Sequence, residues 1–230
     1  AFVQEVLTGM DTRRMGVELG LEAQVTPTIK LKAAASVGEY VYTNNPQQYL
    51  TGDDFQGLEG NILRFGDGTS KLKNYHVAGG PEQAYQIGFE YRDPDFWWVG
   101  TTTNYFSHAF IDPSSLRRSD AFALDSDGLP FNDYDPLLAQ TLLQQEQLDS
   151  YFLVNIVGGK SWKIKDYFVG FFATINNVLD QEYKTGGFED SRIADFRQLR
   201  EEQARQTPLF GNRYFFGFGT TYYLNVYLRF

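Results

Sequence analysis

The residues of this 230-residue chain that could do chemistry are few. Two histidines, His76 and His108, are the whole imidazole complement. Neither lies in the H-x-x-x-H or H-E-x-x-H spacing that sets two ring nitrogens on one helix face for zinc. Cysteine is absent, which removes thiol nucleophiles, disulfides and Cys-based zinc sites together. Asp125-Ser126-Asp127-Gly128, with Asp133 and Asp135 nearby, offers the oxygens that Ca²⁺ takes. It lacks the third ligand before the glycine and the closing Glu of an EF-hand loop, and a solvated acidic loop explains it as simply. Aromatic rings are the remaining resource: Tyr49, Phe55, Phe65, Phe110, Phe131, Tyr134, Phe188 and Phe210 fall between the regular segments. Such rings either stack on a sugar or another flat ligand or pack one loop on the next, and packing is the commoner use. Phe110, Phe131, Tyr134 and Phe188 are the candidate substrate contacts. No catalytic set, cofactor site or metal site follows, and the chain reads as a non-enzyme.

The elements that must position these residues are strands. Seven segments alternate with a period of two. Val17 to Val25 sets Val17, Leu19, Leu21 and Ala23 against Glu18, Gly20, Glu22 and Gln24, and Ile29 to Val37 sets Ile29, Leu31 and Ala33 against Lys30 and Lys32. After Gly38 the second run loses its alternation at Tyr40 and Tyr42. Tyr85 to Arg92 and Trp97 to Phe106 continue the pattern, and Tyr151 to Trp162 and Tyr167 to Val178 carry it less cleanly. The last run, Phe216 to Phe230, places Tyr222, Leu224, Val226, Leu228 and Phe230 on one face and Tyr223, Asn225, Tyr227 and Arg229 on the other. Each is about the 9–11 residues that a tilted strand needs to cross a bilayer. No apolar run is long enough for a transmembrane helix. A mean hydropathy of -0.38 suits a soluble protein and equally a barrel, in which every second strand residue faces lipid. Aromatic residues make up 17%, and a net charge of -9 argues against a nucleic-acid partner.

The connections are more telling. They run short (26–28), long (43–83), short (93–96), long (107–150), short (163–166) and long (179–213). Strict alternation puts every long loop on one side of the sheet, the asymmetry of outer-membrane barrels, with short periplasmic turns and long extracellular loops. Trp97, Trp98, Trp162 and Tyr167 flank short turns, where an aromatic girdle belongs. Glu18, Glu22, Lys30, Lys32, Glu90, Arg92 and Arg229 suit a polar barrel interior. Two loop helices are expected: Asp135-Pro136 reads as N-cap and N1 of one. Ile193, Phe196 and Leu199, among Arg192, Arg197, Arg200, Glu201 and Glu202, suggest the other. Bacterial single-chain barrels have even strand counts from eight upward, so seven strands imply more strands ahead of Ala1, in the same polypeptide or a partner. Residues 1–230 are thus expected to be the C-terminal part of an all-β, antiparallel transmembrane barrel.

Several segments carry a family resemblance, two of them most of it. The run from Tyr214 to Phe230, alternating and ending on Phe, resembles the closing strand that the outer-membrane insertion machinery reads. Ile175-Asn176-Asn177-Val178-Leu179-Asp180-Gln181-Glu182-Tyr183 is similar to the signature that caps the penultimate strand of TonB-dependent receptors, through Asn176, Asn177, Leu179, Asp180 and Tyr183. Asn and Asp at such an exit can hold an Asx-type turn. Gly80-Pro81, Phe89 to Pro94, Trp97 to Gly100, Asn104 to Phe106 and Ile111 to Arg118 resemble the SusC/RagA-like receptors of Bacteroidota. The resemblance implies the last strands of a barrel of about 22, housed in the outer membrane among its lipids. It also implies a plug and a TonB contact outside this sequence, a possible SusD-like lipoprotein or other surface subunit, and import of a glycan, peptide, cobalamin or iron chelate. A passive porin and a soluble β-sandwich binding module are the alternatives; an upstream plug would separate importer from porin, and extraction without detergent would mark the sandwich.

Overall fold

The computed structural model describes residues 3–125, 127–190 and 194–230. Ser126 of the acidic loop, Ser191, and Arg192 and Ile193 of the second expected helix lie outside the described residues. Seven strands form one antiparallel sheet: β2 (Thr12–Gln24), β3 (Ile29–Tyr42), β6 (Gln83–Arg92), β7 (Trp97–Ser107), β8 (Tyr151–Ile164), β9 (Tyr167–Asn176) and β12 (Thr221–Arg229). Their order is β12-β9-β8-β7-β6-β3-β2, a meander in which each strand pairs with its neighbours in sequence and β2 and β12 are the open edges. Turns of a few residues join β2 to β3, β6 to β7 and β8 to β9 at one end; all three long loops leave the other.

The alternation has a continuous consequence across the sheet. The pairings Leu21↔Ala33, Ala33↔Ile87, Ile87↔Thr103, Thr103↔Val154, Ile156↔Ile175 and Ala173↔Leu224 carry one apolar face through all seven strands. That face is uncovered: Val17, Ile87, Leu224 and Val226 are 65–75% exposed. Between its two ends it bears no charge. Arg13 and Glu39 pair with each other at 2.8 Å toward the long-loop end, and Lys160 reaches the Asp95 carbonyl at the short-turn end. Aromatic rings line both ends. Tyr91 meets Trp97 at 5.1 Å and Trp162 meets Phe171 at 6.0 Å near the short turns; Tyr85 meets Tyr105 at 6.2 Å near the long loops, beside Phe152. Trp98 departs from the girdle expected of it. It is one residue out of phase with Trp97, so it turns to the opposite face, where Arg92 lies 5.4 Å over its ring.

The opposite face is polar and internally paired. Lys30 meets Glu22 at 2.6 Å, Glu90 takes both Lys32 (3.2 Å) and Arg92 (2.5 Å), and the Gln86 amide donates to Asn104 at 2.7 Å. Tyr227 packs on Gly170, its cross-strand partner, and its hydroxyl meets Ser161. A Cβ at Gly170 would stand 2.5 Å from the end of that ring and 2.9 Å from the Lys160 carbonyl, so a side chain there would force the ring aside.

Several boundaries differ from expectation: β2 already begins at Thr12, five residues ahead of Val17, and β8 runs on to Ile164. β3 runs on to Tyr42, because alternation ends where the strand leaves the apolar zone and not where it ends. The last strand starts at Thr221 and not Phe216. Arg213–Phe216 is a separate strand, β11, paired with β10 (Lys184–Phe188). The first long loop also holds β4 (Gln47–Gly52) and β5 (Ile62–Leu63), and β4 pairs with β1 (Val3–Thr8), which precedes the sheet.

Buried apolar clusters among the described residues lie in the loops. Phe122, Phe131, Ala139, Ala194, Phe196 and Leu199 form one, and Ala109, Ile111 and Leu148 another. Both expected helices contribute. α1 (Pro136–Leu142) begins with the Asp135 side chain accepting from the Leu137 and Leu138 amides, with Pro136 at its first position. α2 (Phe196–Glu202) begins with a capping box between Asp195 and Gln198.

Candidate functional site

The three long loops fold onto one another as a canopy over one end of the sheet. Its fastening is a short 3-10 turn, Leu116–Arg118, that presents two consecutive arginines inward. Arg118 donates to both carboxylate oxygens of Glu189 (2.6 and 2.7 Å) and to the carbonyls of Ser114 (3.0 Å) and Leu143 (2.9 Å). Its guanidinium stacks 4.2 Å over Tyr75. One side chain thereby joins the first loop (Tyr75), the second (Leu143) and the third (Glu189). The pair is buried on both sides, so its attraction is little screened, and removing one partner would strand a charge at a cost of about 3–5 kcal/mol. Further ties run from Tyr214 of β11, whose hydroxyl reaches Glu146 at 2.8 Å. Burial, then the Glu146 carboxylate, pushes the Tyr214 phenol up to about 12. Glu5 of β1 accepts from Gln48 (2.6 Å) and Ser115, holding the incoming chain against the canopy.

Arg117, beside Arg118, is treated differently. It is 5% exposed, yet its one hydrogen bond runs to the Phe210 carbonyl at 3.1 Å. No carboxylate stands at salt-bridge distance among the described residues, although Glu189, Asp190 and Glu202 attract it from farther off, and its Nε, like that of Arg118, is buried without a partner. Burial holds its pKa below the usual arginine value. Arg117 and Arg118 line a cavity of about 260 Å³ with Tyr75, Tyr134, Phe122 and Lys71. A second cavity of about 560 Å³ adjoins it, sharing Tyr75 and Gln140, and is lined by His76, Phe110, Gln144 and Gln145.

The aromatic candidates do not converge on one spot. Phe110 stacks flat on His76, with centroids 3.7 Å apart and planes 7° from parallel, and lines the larger cavity. His76 is itself fixed by Glu82, 2.9 Å from its Nδ1. Tyr134 lines the smaller cavity with its ring 4.9 Å from Phe196. Phe131 is buried in the larger apolar cluster under Arg197, and Phe188 stands apart against Phe215 at 5.8 Å. Three of the acidic groups weighed for Ca²⁺, Asp125, Asp133 and Asp135, are already engaged. Asp125 accepts from the Asp127 and Leu129 amides, and Asp135 caps α1. Asp133 takes Arg197 (2.6 Å) and Arg200 (2.9 Å), and those hydrogen bonds lower its pKa.

The motif at the end of β9 forms a clasp. Asn177, at φ +50°, accepts from the Gln181 amide (3.0 Å) and donates to the carbonyls of Gln181 (2.9 Å) and Phe218 (3.2 Å). Asp180 accepts from the Thr220 amide at 2.8 Å, and Asn176 donates to Thr221 at 3.2 Å. Tyr183 packs tilted against Tyr151, with centroids 4.5 Å apart, and covers Gly217, where a Cβ would stand 2.0 Å from the ring; Leu179 is left exposed. The clasp fixes both where the chain leaves β9 and where it returns into β12. Arg117, Arg118 and Glu189 were not singled out individually from sequence, because Arg and Glu are almost never fully buried and their separation of 71 residues hides the pairing. No protein-family model matches the chain, and no curated protein matches it in sequence.

Proposed function

We propose that this sheet is the C-terminal wall of a transmembrane β-barrel in a bacterial outer membrane, and that the protein is a TonB-dependent receptor importing a nutrient captured under its loop canopy. The observation that carries the reading is the uncovered apolar face. A soluble sandwich buries such a face against a second sheet, whereas here the packed clusters lie in the loops and the sheet's apolar side meets none of them. Exposed apolar patches beyond a few hundred Å² are rare on soluble monomers and mark a lipid or protein partner. The dimensions agree with lipid. Phe152 and Trp162 are ten residues apart on one face of β8, which at about 3.4 Å per residue and a tilt near 40° spans about 26 Å, close to the height of an outer-membrane apolar band. Edges β2 and β12 would then pair with further strands, since an open edge in lipid costs several kcal/mol per unpaired backbone group. The importer reading adds the resemblance of the β9 clasp and the closing strand to TonB-dependent receptors. Fractionation tests the location: the protein should sediment with outer membranes and leave them only in detergent. Reconstitution in planar bilayers tests the activity. A plugged importer gives no large steady conductance, and an open ohmic pore would favour the porin instead.

A further inference from the structure

The apolar face is edged with charge differently at its two ends. At the long-loop end Arg13 and Glu39 neutralise each other directly, at 2.8 Å. At the short-turn end Lys160 stands between Trp97, its register partner, and Trp162, and no salt bridge joins it to a carboxylate among the described residues. Its Nζ donates to the Asp95 carbonyl at 3.3 Å and lies 5.9 Å from the centre of the Trp162 ring. An ammonium has three N–H donors, so the carbonyl does not exhaust it. Asp93 belongs to the same turn. Its carboxylate accepts from the Asp95 amide at 2.9 Å and the Tyr91 hydroxyl at 2.8 Å; that amide first, then Tyr91, with Lys160 adding its charge, hold its pKa below the usual carboxylate value. Each Asp93 oxygen keeps a second lone pair, and the exposed Asp95 adds another carboxylate. One ammonium and two carboxylates thus border an uncovered apolar surface without closing into an ion pair, beside Tyr91, Trp97 and Trp162.

We propose that this rim binds phosphatidylethanolamine, its phosphate on Lys160, its ammonium on Asp93 and Asp95, and its acyl chains along the apolar face. The charge pattern selects the zwitterion. A headgroup with a phosphate alone would meet two carboxylates for one ammonium, so phosphatidylglycerol fits worse. Phosphatidylcholine carries the same charges, but its trimethylated nitrogen has no N–H to donate, and the charge-assisted hydrogen bonds to Asp93 and Asp95 are lost. Trp97 and Trp162, whose rings suit the boundary between headgroup and chain, fix the depth. The inference rests on the transmembrane reading and fails apart from it. A protein that leaves membranes without detergent sinks that reading; one held in the membrane with no preference for the ethanolamine headgroup sinks only this inference.

The test is native mass spectrometry of the purified full-length protein, delipidated in detergent and offered the dioleoyl forms of phosphatidylethanolamine, phosphatidylcholine and phosphatidylglycerol at equal concentration. The ethanolamine lipid should be retained about three- to tenfold better than either of the others, the span that hydrogen bonds at a wet surface supply. Lys160→Gln keeps the side-chain stem and should lower retention of all three lipids. Asp93→Asn combined with Asp95→Asn should remove the ethanolamine advantage and leave phosphatidylglycerol retained as well as before or better. Asp95→Asn alone, at an exposed side chain, should already narrow the advantage, which keeps the test open if the double variant does not fold. Equal or better retention of the choline lipid by the native protein, or an ethanolamine advantage undiminished in the folded acid-to-amide variants, would overturn the proposal and leave Lys160 a tie to the turn.

Discussion

Single residues decide how the loops hold together. Arg118 meets carbonyls, a carboxylate and a ring from three loops, so its loss should be felt in all of them. Glu189→Gln keeps the shape and removes the charge that balances Arg118, and it should destabilise the canopy by about 3–5 kcal/mol. Hydrogen exchange should quicken in residues 70–76, 114–118 and 187–190 together; a change confined to the third loop would deny Arg118 its role as common fastener. Gly170 makes an independent case in the sheet. Gly170→Ala should impair folding because its Cβ would enter the Tyr227 ring, and Tyr227→Ser in the same chain should restore much of the loss. If the double variant is no better folded than Gly170→Ala, the ring is not what requires glycine. Little of this was legible beforehand. Two adjacent arginines look like a solvated patch, and a glycine in a strand looks like a bend, until the partners are known.

Elements were more legible than residues, and unevenly so. The sheet strands announce themselves because one side of each is largely apolar, least cleanly in β8 and β9, and β6 and β7 lie within two residues of where the alternation places them. β1, β4, β10 and β11 sit above the apolar zone, where neither face is selected for oiliness, and no period betrays them. The run from Phe216 misleads for a related reason: its alternation is real, but the clasp of Asn177 and Asp180 on residues 218–220 breaks the backbone pairing. Both loop helices were readable from Asp135-Pro136 and from Phe196 and Leu199. Their mutual tie was not. Asp133, set just before α1, is held by Arg197 and Arg200 of α2, and its pKa is lowered. A carboxylate lowered on folding contributes stability above its unfolded pKa of about 3.9 and loses it as the pH falls below that value toward the folded one. Amide exchange in α2, corrected for its intrinsic pH dependence, should therefore accelerate on acidification and not on alkalinisation, and Asp133→Asn should be fast throughout. Acid-insensitive exchange in the native protein would contradict the assignment.

At the scale of the whole molecule, two faces of one sheet ask for two solvents. The apolar face is free of charge between the Arg13–Glu39 pair at its long-loop end and Lys160 at its short-turn end, and the polar face carries the other ion pairs of the sheet. Arg at Val226 should cost about 2–4 kcal/mol, depending on depth, and Arg at Asn225 far less. The canopy end should be outermost: a cysteine at Asp127 or Thr207 should react in intact cells with an impermeant thiol reagent, and one at Asp95 or Asp166 only after the outer membrane is opened. The most direct measurement of the central claim places nitroxide labels singly at Leu19, Ile87, Val154 and Leu224, and at their neighbours Glu18, Gln86, Asn155 and Asn225, in the protein embedded in lipid. Collision with oxygen should dominate over collision with an aqueous nickel chelate at the first four and not at the second four, alternating residue by residue across the sheet. Comparable access of the nickel chelate to all eight positions would mean that the apolar face meets water, and the membrane account would be wrong.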